Sequence, residues 1–313
     1  MLYRKIISFL ESQKHNKRSS LKLIRVFNRY KYILICKLEN ILIKSVDISD
    51  CKLIKNSGVN VVCSLTSYPG RINECYYAIK SILLQSVTPN RIVLWLALSQ
   101  FPEKKLPDVY EQLRMLGVEF RFCDDLRSHK KYYYMLQEQK PNEVVITFDD
   151  DIIYHPDTIK RALTKHFEYP DCIVCNEAKV MKLNETDNTL VSYRMWKKAP
   201  DGSKTPDIFK YSVMTGSGCL YPYGIMPTQL FDKENIKKYA FTADDLWITF
   251  TAKAFRIRVA PTDIMARTYT TISKSQTTHL GQINCLGTGN DETVKRIFNL
   301  YPQMKEDLIK ALV

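Results

Sequence analysis

At 313 residues the chain is long enough for one large domain or two smaller ones, and 45% hydrophobic with 25% charged residues is the composition of a globular protein with a full core. Disordered, collagenous and low-complexity classes are thereby excluded. The net charge is +13, from 46 Lys+Arg against 33 Asp+Glu, a surplus that suits an anionic partner such as nucleic acid, anionic lipid or a phosphorylated small molecule.

The charge is unevenly spread. The first 46 residues hold eleven Lys/Arg and two Glu, a net of +9, which leaves +4 for the other 267. Apolar residues there (Ile6, Ile7, Leu10; Leu21, Leu23, Ile24, Phe27; Ile33, Leu34, Leu38, Ile41, Leu42) are interleaved with Arg4, Lys5, Lys22, Arg25, Arg29, Lys31 and Lys37. The pattern predicts a basic amphipathic helical segment over 1–50, ahead of a main domain over 51–313. Such a segment either lies on an anionic membrane surface or caps the domain with its lysines solvated. No cleavable signal is visible, and the run Tyr32-Ile33-Leu34-Ile35-Cys36 is far short of the roughly 20 residues that span a bilayer. Nine cysteines without regular spacing suit a reducing compartment. The expected address is therefore the cytoplasm or, peripherally, the inner face of the cell membrane. Cys172-Ile173-Val174-Cys175 reads as a buried strand, since no second Cys/His pair stands at metal-ligand spacing. The sequon Asn184-Glu185-Thr186 reads as chance.

Beyond residue 60, strands over 61–66, 91–96, 118–122 and 143–148 alternate with helices over 72–85, 106–116 and 128–139. Alternation of this kind predicts an α/β fold with a mostly parallel sheet flanked by helices, its ligand site beyond the carboxyl ends of the strands. The fourth strand runs directly into Asp149-Asp150-Asp151. Three adjacent carboxylates repel one another unless a cation neutralises them. Asp149 and Asp151 share a side if the extended conformation persists, and Mg²⁺ or Mn²⁺ on one or two carboxylates would let a diphosphate bind there. An EF-hand is excluded by spacing, and an acidic helix cap is the plainer alternative.

Thr242-Ala243-Asp244-Asp245-Leu246-Trp247 opens a helix. Thr242 is a fair N-cap, and the two acids suit the helix dipole; the functional alternative is a general base for a hydroxyl. Between the acidic clusters lies Met214-Thr215-Gly216-Ser217-Gly218-Cys219-Leu220-Tyr221-Pro222, in which Gly216 and Gly218 allow close backbone approach by a ligand. Equally, they mark a β-bulge or hairpin.

Ser64-Leu65-Thr66-Ser67-Tyr68-Pro69-Gly70-Arg71, the βα units, the Asp149-Asp150-Asp151 run, the glycine segment and the Ala243-Asp244-Asp245 helix start occur in that order. Over residues 59–290 the sequence resembles nucleotide-sugar glycosyltransferases of the GT-A fold, in particular bacterial enzymes of capsule and lipopolysaccharide assembly. The resemblance implies Asp149 and Asp151 as the DxD pair holding Mn²⁺ or Mg²⁺, with Asp150 in the same donor-binding turn and His279 completing the metal shell. It implies Thr66, Tyr68 and Arg71 beside the nucleoside, Asp124 and Asp125 at the base or ribose, and Lys130 or Lys131 at the diphosphate, where a point charge suits phosphate. Gly216 and Gly218 would line the sugar and acceptor, while Arg267 and Lys274 would approach phosphate. Asp244 and Asp245 resemble the acidic pair whose second member is the base in inverting enzymes, with Asp where many relatives have Glu at the first position.

The expected activity is metal-dependent transfer of a sugar from a nucleoside-diphosphate donor, UDP by family leaning, to a hydroxyl of a glycan or lipid-linked oligosaccharide, with inversion. Retaining transfer on the same fold and metal-dependent nucleotidyl transfer stay open. A nucleic-acid-binding protein is disfavoured: three acids stand at the best pocket, and no nucleic-acid-binding motif appears.

Overall fold

The computed structural model describes residues 2–14, 22–54, 58–199, 205–262, 269–273 and 289–313, with residues 22–25 described by their backbone alone. Two helices lead, α1 (Leu2–Lys14) and α2 (Lys22–Ser45). Strand and helix then alternate through β1 (Asn60–Ser67), α3 (Ile72–Leu83), β2 (Arg91–Ala97), α4 (Tyr110–Met115), β3 (Glu119–Cys123), α5 (Lys130–Gln137) and β4 (Glu143–Phe148). After the acidic turn come β5 (Ile152–Ile153), α6 (Thr158–Glu168), β6 (Cys172–Cys175), β7 (Ala178–Val180), β8 (Lys197–Lys198), β9 (Tyr211–Val213) and β10 (Ser217–Tyr221). A short helix, α7 (Lys233–Asn235), runs into a π-helical turn over Ile236–Ala240. The remaining elements are α8 (Asp244–Ala254), β11 (Arg258–Pro261), β12 (Thr270–Thr271), α9 (Gly289–Leu300) and α10 (Pro302–Leu312).

Among the described residues the main sheet has seven strands in the order β11-β6-β10-β4-β1-β2-β3. β3, β2, β1 and β4 are mutually parallel. β10 is antiparallel to both β4 and β6, and β11 is parallel to β6. Six strands therefore share one direction and β10 alone is reversed. The predicted α/β fold with a mostly parallel, helix-flanked sheet is what the chain adopts. β4 is buried along its whole length, as a strand covered on both faces must be, which is why it reads as an unbroken apolar run. Cys172-Ile173-Val174-Cys175 is likewise a fully buried strand, and the eight cysteines among the described residues are all free.

Element ends differ where local chemistry intervenes. The helix expected over 106–116 shrinks to α4, because Pro107 disfavours helix at the residue before it. Residues 108–109 form a turn into the helix instead, with Tyr110 N–H on the Pro107 carbonyl and Glu111 N–H on that of Asp108. The helix expected from residue 128 begins two residues later, after a 3-10 turn over Arg127–His129 entered through Arg127 at φ 51°. Among the described residues no helix is long and apolar enough to cross a membrane.

Residues of the two leading helices, α1 and α2, share a core with the sheet. Tyr3, Ile7, Ile43 and Ile48 pack in one cluster with β1 residues Val61 and Leu65 and with Ile79 and Ile82 of α3. Polar contacts fix the same docking. Lys14 Nζ lies 2.6 Å from Glu39 and 2.9 Å from the Thr270 hydroxyl, with both charged side chains no more than 3% exposed. Glu11 meets His155 at 2.5 Å and Arg161 at 3.5 Å, and Asn40 bonds the Thr271 carbonyl and the Ser273 amide. Removing one member of a buried ion pair strands the other. Lys14→Met is therefore expected to lower the unfolding free energy by about 3–5 kcal/mol, and Lys14→Met/Glu39→Leu to recover most of it, in urea denaturation. A single-variant loss below about 1 kcal/mol would mark the pair as solvated.

Candidate active site

The carboxyl ends of β1 and β4 lie side by side, with Leu65 opposite Phe148, so the loops that follow both strands open at one edge of the sheet. The extended backbone of β4 ends at Phe148, and Asp150 and Asp151 form a turn. The expectation that Asp149 and Asp151 share one side of a strand fails for that reason, and different cations engage them. Asp149 Oδ1 accepts from Lys131 Nζ at 2.6 Å. Arg71, from the turn after β1, reaches both Asp150 (2.9 Å) and Asp151 (3.0 Å). The Ser67 hydroxyl adds a 2.6 Å bond to Asp150. Burial raises the Asp150 carboxyl above its ordinary range, against the pull of Arg71 and Ser67.

Lys131, in the first turn of α5, is nearly inaccessible and also bonds Asp244 Oδ2 at 2.9 Å. Burial alone would discharge the ammonium; the charges of Asp149, Asp244 and Asp245 outweigh it and hold the lysine protonated well above its usual range. The Thr215 hydroxyl sits 2.7 Å from both Asp244 Oδ2 and Asp245 Oδ1, and the Thr215 N–H donates to Asp245 Oδ1 at 2.7 Å. A hydroxyl has one proton, so it can donate to only one of the two carboxylates.

The environments push the pair apart. For Asp244, burial is overcome by Lys131 and the group is held ionised. For Asp245, burial and the neighbouring Asp244 charge push the carboxyl up to about 7. Two adjacent carboxyls with opposed proton affinities constitute an acid/base arrangement. The helix that presents them, α8, opens at Asp244 with Ala243 in the cap position, so the expected Thr242 cap is not formed. Both acids nonetheless stand in the first turn, where the helix dipole favours them.

Gly216 is forced by geometry: a Cβ there would stand 1.8 Å from Asp149 Oδ2. The absent side chain lets the Asp149 carboxylate lie against the backbone that leads into β10. Gly218 answers to the fold instead. Its φ is +85°, a Cβ would strike Thr158 and Asn176 within 2.8 Å, and it marks the register shift between Ser217 and Cys219. A bulge accounts for it without a ligand.

The other expected donor-side residues are less concentrated. Thr66 Oγ1 is bonded to the Trp95 carbonyl at 2.7 Å, while Tyr68 lies under the Arg71 guanidinium, 5.9 Å from ring centre. Asp125 pairs with the buried Lys130 at 2.7 Å and caps the Arg127 amide. Asp124 points to solvent, bonded to Lys233 at 2.8 Å. His279, Arg267 and Lys274 lie outside the described residues.

Three residues that sequence reasoning missed complete the frame. Thr215 joins the two aspartates, and its place between β9 and the glycines was the available signal. The Tyr154 hydroxyl accepts from the Asp149 amide at 2.7 Å and donates to the Gly216 carbonyl at 2.6 Å, so one side chain pins both strands of the site. His129 Nε2 donates to the Ala240 carbonyl at 2.9 Å and Nδ1 accepts from Tyr132 at 2.8 Å. Burial brings its pKa down to about 4, so it supports the turn before α8 as a neutral ring.

No family model matches the sequence, and no curated protein matches it either. Among solved structures the chain is similar to residues 1–349 of S. aureus TarS. The match is 14% identical with a TM-score of 0.44 for the protein alone, covering 81% of this chain and 70% of that one. For its complex with UDP-GlcNAc the TM-score is 0.46 at 14% identity, with 81% and 71% covered. For its complex with UDP it is 0.41 at 13% identity, with 81% and 70% covered.

The fold favours protonated Asp245, so stability from this group is full below the unfolded carboxylate value of about 4 and is lost as pH rises to about 7. Measured by urea melts across a pH series, the advantage of wild type over Asp245→Asn is expected to shrink between those limits and level off above them. A pH-independent difference would remove Asp245 from the buried pair.

Proposed function

We propose that the chain is a nucleotide-sugar glycosyltransferase of the GT-A kind. In this reading it moves a sugar from a nucleoside diphosphate, UDP-linked, to a hydroxyl of a glycan or lipid-linked oligosaccharide, with inversion. The observation that carries the reading is the Asp244/Asp245 pair, split into an ionised and a proton-accepting member and joined through Lys131 to the strand-end Asp149.

Asp245 Oδ1 is held by Thr215, and its Oδ2 takes no hydrogen bond among the described residues. That oxygen is the proposed acceptor for the proton of the attacking hydroxyl. The hydroxyl oxygen forms the new bond to the anomeric carbon, and the bond to the departing diphosphate breaks on the opposite face. Lys131 keeps Asp244 charged, which raises the proton affinity of Asp245 toward neutral pH, where a base is most effective. Thr215 and the α8 backbone fix the direction of approach.

Among the described residues five carboxyls, Asp149, Asp150, Asp151, Asp244 and Asp245, stand against two cations, Arg71 and Lys131, a balance that a bound divalent cation would offset for an entering diphosphate. Among the described residues no three His, Cys, Asp or Glu side chains gather into a complete metal cage. Mg²⁺ or Mn²⁺ on donor phosphates needs only one or two carboxylates, and Asp149 fits: its hard Oδ2 takes no hydrogen bond among the described residues. Asp151 is the second proposed ligand, and binding there competes with Arg71. When bound, the ion offsets charge developing on the leaving diphosphate.

A panel of nucleotide sugars, assayed for donor hydrolysis and thermal shift with and without Mn²⁺, tests the reading; no response to any donor would sink it. Asp245→Asn is expected to lower turnover by about 10²–10⁴ and leave donor-induced thermal shift intact. kcat/KM should rise with pH through about 7, and chelation should abolish the donor response. Turnover of the Asn variant near the wild-type rate would refute the base assignment.

A further inference from the structure

The face of α2 turned away from the sheet is its more apolar one. Ile35, Glu39 and Ile43 point inward and are buried, whereas Phe27, Tyr30, Leu34, Leu38 and Ile41 recur every three or four residues on the outer side. Those five are between 40% and 69% exposed. Solvated surfaces carry large apolar side chains singly; a continuous stripe at helical spacing is a surface that something covers.

Charge identifies the covering. The described parts of α1 and α2 contain two acids, Glu11 and Glu39, and both face inward in ion pairs with His155, Arg161 and Lys14. Lys5, Arg29 and Lys37 are exposed. The outer face thus combines an apolar stripe with cations and presents no acid. Against a second copy of itself such a face would oppose like charges. An anionic bilayer matches both parts, with acyl chains under the stripe and headgroup phosphates beside the cations.

We propose that α2 lies flat in the headgroup boundary of an anionic membrane, its Phe27-to-Ile41 stripe immersed. The surface is connected to the candidate site by a short path that does not depend on the proposed reaction. Asn40 bonds the Thr271 carbonyl at the end of β12 and the Ser273 amide just beyond it, β12 pairs with β5, and the Ile272 amide bonds the Asp151 carbonyl at 2.8 Å. A bilayer bound at α2 is thereby held at a fixed offset from the acidic turn.

Full-length protein floated with vesicles of phosphatidylcholine alone or mixed with phosphatidylglycerol tests this. Expected is partition onto the anionic vesicles, weakened by high salt, and a loss of about tenfold or more in Leu34→Glu/Ile41→Glu. That variant should keep the wild-type melting temperature. Arg29→Glu/Lys37→Glu should remove the preference for anionic lipid while retaining the fold. Equal partition of wild type and the Leu34/Ile41 variant overturns the proposal. So does a wild-type dimer that ignores vesicles and is dissociated by the same substitutions, since the occupant is then a second copy.

Discussion

A single buried cation organises the site. Lys131 joins the end of β4 to the start of α8 by touching Asp149 and Asp244 at once, and the Asp244 carboxylate could not be buried there without it. Desolvating an ammonium and a carboxylate is costly, and only close pairing offsets that cost. The fold therefore brings three separate chain segments to one point or leaves charges stranded. Once the lysine is in place, Asp244 must stay ionised, and its charge raises the proton affinity of Asp245. The division of labour between neighbouring acids is thus set from outside the pair, by a residue more than a hundred positions earlier.

A second cation does comparable work on the other side of the strand end. Arg71 holds Asp150 and Asp151 together, so the three-carboxylate turn is partitioned: one acid belongs to Lys131, two to Arg71. The repulsion inherent in three adjacent acids is relieved by side chains from two different helical turns. Tyr154 supplies the neutral part of the same frame, hydrogen-bonding the backbone on both sides of the strand end. Each of these buried hydrogen bonds penalises a rearrangement that leaves its groups unpaired.

The alternation of strand and helix, the direction of most of the sheet and the buried Cys172–Cys175 strand were legible in the sequence, because a strand covered on both faces must be apolar throughout. The acidic turn and the α8 acids were legible for the same kind of reason: clustered carboxylates are expensive and need an explanation. What was not legible depends on tertiary neighbours. Whether Lys130 or Lys131 faces the acids is one residue of helical phase, and only packing decides it. The Thr215 bridge requires knowing that β10 lies against β4. Gly216 and Gly218 look alike in sequence, yet one makes room for a carboxylate and the other turns a bulge. The first 50 residues read as an amphipathic appendage, since their inward ion pairs join partners that stand far apart along the chain.

The reversed direction of β10 has a mechanical consequence. Its first residue, not its last, stands beside the end of β4, with Ser217 opposite Phe148. The residues entering the strand therefore line the site, where a parallel strand would have offered those leaving it. Three residues separate this point from β9 of the small three-stranded sheet, and Thr215 is the middle one. The small sheet and the aspartate pair are in series along one tight turn, closed by the Ser217 N–H on the Met214 carbonyl at 3.1 Å. That turn ties the position of the hydroxyl shared by the two acids to the small sheet.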